Sequence, residues 1–339
     1  CVTPVEKGNR YSLVVWIFGP EWKWIWKMQN NRSQYYESFL TLSETVGITI
    51  NDVTRFGTSL MRSENIHSYD FAGDQKTASL YLTFFSLHLP YTFINDKWPD
   101  EPFQFLTLLE SNISNAKLIT SEVSNILNLF ERKIAEDIPI QYITNENWYV
   151  NRNKFYIDKN VNLPYSYHAG MFENLLGQQQ WNNFQVLDMG TGSGCIGISL
   201  ALLIPRLKVD LVDISSEALS VAQKNIDMYN LNDRVRCIQS DLFSEVENKY
   251  DMIITNPPWV GTDVPLSADA KHQPRIALES GEDGMDHINK ILSTATEYLN
   301  DENSSLIITE IPMKQFDLIK QHYPNISFEE FNPVNYDGS

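Results

Sequence analysis

Apolar residues recur at helical spacing through the first part of the chain and in short strand-like runs through the last. From residue 33 to residue 137 the pattern is helical, with breaks around Gly47, across the polar stretch 62–74, and at Pro90, Pro99 and Pro102. Its clearest segment is 121–137, where Val123, Ile126, Leu127, Phe130 and Ile134 fall at i, i+3, i+4, i+7 and i+11. Glu122 suits the first turn and Pro139 ends the helix. The pattern predicts a small helical domain over 28–137. Between 138 and 165 the period shortens. Residues 141–144, 148–150 and 154–157 read as strands around the turn-prone Asn151-Arg152-Asn153, which predicts a β-hairpin linker.

Beyond residue 166 short apolar strands at 185–188, 208–212, 234–238, 250–255 and 305–309 alternate with helical stretches such as 217–228 and 286–299. That alternation implies right-handed βαβ units and a parallel sheet covered on both faces, an α/β fold. Residues 327–331 can supply one further strand and 335–338 a turn after it. The C-terminal strand that would complete such a sheet is therefore expected to be missing, with 327–339 displaced and the domain at 166–339 truncated. Upstream, Trp16, Trp22, Trp24 and Trp26 crowd ahead of Met28. Residues 1–27 are expected to be an extension outside any domain, with a partner-binding arm as the alternative.

Composition narrows the function. Of 339 residues 42% are hydrophobic, enough for two cores at ordinary domain size. The 26 Lys and Arg against 43 Asp and Glu leave a net charge of −17, which repels nucleic-acid phosphate and anionic membranes and suits a basic partner. Cys1, Cys195 and Cys237 form neither a disulfide framework nor a C-x-x-C, and the six histidines show no metal-ligand spacing. No metal is expected. The apolar run 11–18 is far short of the about 20 residues a membrane span needs, and the chain reads as cytoplasmic.

The chemistry gathers after residue 185. Asp188-Met189-Gly190-Thr191-Gly192-Ser193-Gly194 follows the first strand and opens a helix, where glycines permit a tight turn and close backbone approach to a ligand. Gly192, Gly194 and Gly197 also spell G-x-G-x-x-G, so a dinucleotide must be weighed. Asp213, ending the second strand, could hold the ribose hydroxyls of a dinucleotide or of S-adenosylmethionine alike. Asn256-Pro257-Pro258-Trp259 discriminates. It ends the fourth strand, where ligand crevices of open α/β sheets lie. Its prolines make a stiff corner without N–H groups. The Asn256 side-chain oxygen and the Pro257 carbonyl can accept both hydrogens of one planar NH2 group, with Trp259 as a flat wall.

The two motifs together resemble class I S-adenosylmethionine-dependent methyltransferases that act on planar amino or amide nitrogen. Pro139-Ile-Gln-Tyr142, Val212-Asp213-Ile-Ser215, Ser240-Asp241-Leu242-Phe243, His272-Gln-Pro274 and Glu279-Ser-Gly281-Glu-Asp283-Gly284 narrow the likeness. They resemble the HemK/PrmC-like protein N5-glutamine methyltransferases, and within them the PrmB branch that modifies large-subunit ribosomal protein uL3. The resemblance implies a Rossmann-like methyltransferase domain behind a helical substrate-recognition domain, with S-adenosyl-L-methionine as cofactor. It also implies a cofactor loop shaped by Asp188, Gly190, Thr191, Gly192 and Gly194, ribose hydroxyls on Asp213, and adenine at Asp241 and Leu242. The substrate glutamine would lie at Asn256, Pro257, Pro258 and Trp259, with Asn256 also bordering the cofactor. Three departures stand out: Trp259 replaces the usual Tyr, Tyr165 and Gly170 replace a charged pair, and the chain stops at the last strand. Rival readings are methylation of translation release factors, a nucleic-acid amino-methyltransferase disfavoured by the −17 charge, and a degenerate homologue that binds a partner without catalysis.

Overall fold

The computed structural model describes residues 37, 39–41, 43–44, 47–63, 75–88, 116–149, 153–164, 184–267, 270–300 and 306–323. The expectations for residues 1–27, for Tyr165 and Gly170, and for the strand at 327–331 lie outside the described residues. The chain divides into two units between Thr144 and Asn145.

In the first unit β1 (Ile48–Thr49) runs into α1 (Ile50–Ser63), followed by α2 (Gln75–Ser86), β2 (Lys117–Leu118), α3 (Thr120–Glu136) and α4 (Ile140–Thr144). Strands β1 and β2 pair antiparallel. All five apolar residues of the helical pattern in α3 are buried, at one core with Val53, Leu60 and Leu82. Gly57 lets α1 approach closely, since a Cβ there would collide with the Phe130 ring and the Ser79 hydroxyl. Glu122 accepts the Ile119 N–H at 2.9 Å at the start of α3. The helix ends at Asp137 in the left-handed region (φ 48°), before Pro139 is reached. Buried Lys133 closes this end by donating to the Ile138 carbonyl at 2.9 Å.

Residues 141–144, expected to be a strand, are the helix α4. Pro139 leaves its carbonyl to accept from Tyr142 and Ile143, Thr144 Oγ1 donates back to the Ile140 carbonyl, and Asn145 at φ 55° ends the turn. The β-branched content of Ile-Gln-Tyr-Ile-Thr is outweighed by proline at the helix entrance, which presets φ and needs no N–H partner there.

The second unit begins with the hairpin, β3 (Glu146–Trp148) against β4 (Lys154–Tyr156). Its main body follows as β5 (Gln185–Met189), α5 (Cys195–Leu203), β6 (Lys208–Asp213), α6 (Ser216–Met228), β7 (Val235–Gln239), β8 (Met252–Thr255), α7 (Asp286–Thr294), β9 (Leu306–Thr309) and α8 (Met313–His322). The sheet order is β7-β6-β5-β8-β9, parallel throughout. Alternate residues feed opposite layers: Val186, Val209, Leu211, Met252 and Ile254 face one core, Leu187, Met189, Val212 and Ile253 the other. The hairpin is built into this unit, with Tyr149 and Phe155 in the first of those cores and Tyr229 Oη donating to the Lys154 carbonyl at 2.7 Å. Because the order reverses between β5 and β8, a crevice opens at their carboxyl ends.

Candidate active site

At that crevice lies a cavity lined by Gly190, Thr191, Gly192, Asp213, Asp241, Leu242, Asn256, Pro257 and Pro258. The glycine loop hangs from β6, for the N–H groups of Gly190 and Thr191 both donate to the Val212 carbonyl, at 2.8 and 2.9 Å. Gly190 and Gly192 have φ of 70° and 55° with open space where a Cβ would be, so conformation rather than crowding requires glycine there. Gly197 differs. A Cβ on it would meet Leu211, Val209 and the Asp188 carboxylate, which marks close packing of α5 on the sheet.

Asp188 and Gly194 stand behind the loop, outside the cavity lining. The Asp188 carboxylate is buried and accepts from Thr191 Oγ1 at 2.7 Å and from the Gly197 N–H at 2.9 Å, clamping the loop to the first turns of α5. Asn225, wholly buried on α6, braces the loop from the other side. It accepts the Tyr156 N–H at 2.7 Å and donates to the carbonyls of Tyr156 and Ser193, tying hairpin and loop together.

Asp213 reaches the cavity with each oxygen already accepting one backbone N–H, Gly192 on Oδ2 and Ser215 on Oδ1, both at 2.9 Å. Burial pushes its carboxyl above the ordinary carboxylate value, and the N–H groups of Ser215, Gly192 and Ile214 pull the other way. The lone pairs these N–H groups do not engage are left for hydroxyl donors. A vicinal diol would therefore offset the cost of burying this charge, which is the fit expected of a ribose site. Cys195 also borders the cavity. Burial pushes its thiol up to about 12, so it remains protonated.

Across the crevice Thr255 Oγ1 donates to the Met189 carbonyl at 2.7 Å, which fixes the end of β8 against β5. The next residues differ from all those above: among the described residues neither the Asn256 side chain nor the Pro257 carbonyl has a hydrogen-bond partner. The corner beyond them is held tightly. Trp259 and Val260 N–H both donate to the Leu278 carbonyl, Ser280 N–H donates to Val260, and Gln315 Nε2 donates to the Trp259 carbonyl at 2.8 Å. Trp259 itself is 40% exposed and lies outside the cavity lining, so it forms no wall of this cavity.

Several lining residues are not among the site residues expected from the sequence: Asn160 to Pro164, Ile276, Ala277 and His287. Gln273 connects the first two groups by accepting the Leu163 N–H at 3.1 Å. Residues 160–164 lie outside any helix or strand and His287 lies on the first turn of α7, and in both cases it is hydrogen bonds made outside the local pattern that bring them to the cavity. Among the described residues there is no cluster of three metal-ligating side chains, and no helix is long and apolar enough to cross a membrane.

A family profile described as "Methyltransferase small domain" matches residues 171–270. The chain is 32% identical over 300 residues to the ribosomal protein uL3 glutamine methyltransferase of Neisseria meningitidis serogroup A, covering 86% of this chain and 91% of that one. It is 33% identical over 316 residues to the protein of the same name from Bordetella pertussis, covering 91% and 93%. Among solved structures, a methyltransferase from Pyrococcus furiosus aligns with a TM-score of 0.34 and 21% identity over 45% of this chain and 69% of that one.

Proposed function

The chain belongs to the ribosomal protein uL3 glutamine methyltransferase family, and we propose that it methylates the side-chain nitrogen of a glutamine in uL3. S-adenosylmethionine supplies an electrophilic methyl group on a sulfonium. The residues that would hold it are the glycine loop at Gly190 to Gly192, Asp213 at the ribose and Asp241 with Leu242 at the adenine. The single observation that carries the reading is the pair of acceptors without a partner among the described residues, Asn256 Oδ1 and the Pro257 carbonyl, on two residues that line the cavity together with Asp213 and the glycine loop.

A carboxamide nitrogen is a weak nucleophile because its lone pair is delocalised into the carbonyl. Asn256 and Pro257 accept its two hydrogens, which raises electron density on nitrogen and fixes the NH2 plane. Thr255 and the bonds to Leu278 and Gln315 hold both acceptors in place before substrate arrives, so little reorganisation accompanies the reaction. After transfer the cationic nitrogen is strongly acidic and loses a proton to the Asn256 oxygen or to water. The protonated Cys195 thiol presents no competing nucleophile.

An amide pocket cannot tell one glutamine from another, so we assign choice of protein to the helical unit. The net charge of −17 favours a basic ribosomal protein. The setting that suits such a substrate is the cytoplasm. Incubation with methyl-labelled cofactor and separated uL3, release factors and DNA tests the reading: label is expected in uL3 glutamine, and label confined to a release factor or to DNA overturns it.

A further inference from the structure

His287, on the first turn of α7, borders the cavity that Asp241, Leu242 and Ile291 also line, and Asp241 is near enough to act electrostatically on its ring. Two hydrogen bonds to a single hydroxyl fix its position. Its Nδ1 lies 2.7 Å from Ser280 Oγ, and its backbone N–H donates to the same oxygen at 2.9 Å. Ser280 is wholly buried and its own N–H is committed to the Val260 carbonyl, so Ser280 joins His287 directly to the stretch that follows the Asn256-Pro257-Pro258 corner.

The tautomer follows from counting donors. The Ser280 oxygen already accepts the His287 N–H, and among the described residues its hydroxyl proton has one acceptor, Nδ1. The reverse arrangement, with Nδ1–H donating, leaves a buried hydroxyl proton unpaired, which is costly. Nδ1 is therefore the acceptor and the ring proton resides on Nε2. Burial and Lys290 push the imidazole pKa down, against Asp286 and Asp241, which raise it, so the ring is neutral near pH 7. With the Nδ1 edge held by Ser280, the Nε2 edge is left to the cavity.

We propose that His287 presents Nε2–H as a fixed donor beside the acceptor carboxylate of Asp241, the two together reading an aminopurine edge. The exocyclic amino group donates to Asp241 and a ring nitrogen accepts from His287. This rests on the assignment of S-adenosylmethionine to the cavity. The pair selects 6-aminopurines over 6-oxopurines, whose carbonyl would oppose the Asp241 carboxylate.

Calorimetry with S-adenosylhomocysteine and its three analogues in which one adenine ring nitrogen is replaced by CH provides the test. On the unaltered protein one analogue is expected to bind about tenfold more weakly than the parent, the size of one lost hydrogen bond. His287→Phe should weaken the parent by a similar factor and erase that analogue's penalty. His287→Gln, which keeps a donor, should hold the parent's affinity within about threefold. The same pattern of penalties in the unaltered protein and in His287→Phe, or no penalty for any analogue, overturns this inference alone. Failure of S-adenosylhomocysteine to bind the unaltered protein overturns the cofactor assignment and the inference with it.

Discussion

The glycine-loop rim of the crevice and the Asn256 rim use their polar groups in opposite ways. Around the loop, Asp188, Asp213 and Asn225 all engage backbone groups, so the loop's shape is set without any ligand. At the other rim the backbone is held just as firmly, but the Asn256 side chain and the Pro257 carbonyl have no partner among the described residues. One rim is finished by the fold and the other is left to be finished by a substrate. Substitutions at the first should register in cofactor affinity, and substitutions at the second in turnover.

The largest expected effect breaks the open rim. Asn256→Ala should lower turnover by roughly 10² to 10³-fold, the scale for removing one preorganised polar group, with S-adenosylhomocysteine affinity within about twofold of the unaltered protein. Single-turnover methyl transfer and calorimetry on the same variant check both halves. A loss divided equally between affinity and turnover would erase the distinction between the rims.

Next comes the finished rim. Asp213→Ala should cost about 1.5–3 kcal/mol of S-adenosylhomocysteine binding through loss of charge-assisted hydrogen bonds. At saturating cofactor the turnover should recover most of its original value. If saturation restores nothing, Asp213 acts on the chemical step and the comparison fails on this side.

A smaller effect is the pH dependence of the same carboxylate. Burial raises its pKa above 3.8 in the ligand-free protein, so its contribution to folding stability is present below the unfolded pKa and is lost as pH rises through the folded one. Hydroxyl donors favour the charged form, so ligand binding has the opposite slope. S-adenosylhomocysteine affinity should be greatest near neutral pH and fall toward acid, by at most about tenfold per pH unit. Asp213→Asn should flatten that fall, as read by calorimetry between pH 4.5 and 7.5. An unchanged slope in the variant would place the titrating group elsewhere.

Much of this arrangement was legible because its signals are local. Glycines at positive φ, an acidic residue ending β6 and a proline corner ending β8 are each fixed by a few adjacent residues, and the parallel sheet follows from where the apolar runs fall. Asp188 shows the limit of such reading. Its place in the motif is visible, but its role as a buried clamp on Thr191 and Gly197, outside the cavity lining, depends on how α5 packs. Residues 141–144 show another, since β-branched composition suggested a strand where a proline entrance produced α4. The bonds that seat His287 and the segment from Asn160 to Pro164 at the cavity include those to Ser280 and Gln273, and no periodicity marks such bonds.

The smallest expected effect concerns Trp259, which belongs to the open rim by sequence and to neither rim by position. Its backbone is what the corner uses: N–H to Leu278 and carbonyl to Gln315 survive any side chain at this site. The indole is 40% exposed and absent from the cavity lining. Trp259→Ala should therefore leave S-adenosylhomocysteine affinity unchanged and lower turnover by under about threefold, whereas a stacking wall for the substrate amide would be worth about 0.5–1.5 kcal/mol, up to roughly tenfold. Gln315→Leu removes the anchor of the same carbonyl and should cost more than removal of the whole indole, because it loosens the stretch that carries Asn256. The comparison is made by measuring methyl transfer in both variants at saturating cofactor. A larger loss in Trp259→Ala than in Gln315→Leu would mean that the indole turns into the cavity when substrate binds, and that the open rim is completed by this chain as well as by its substrate.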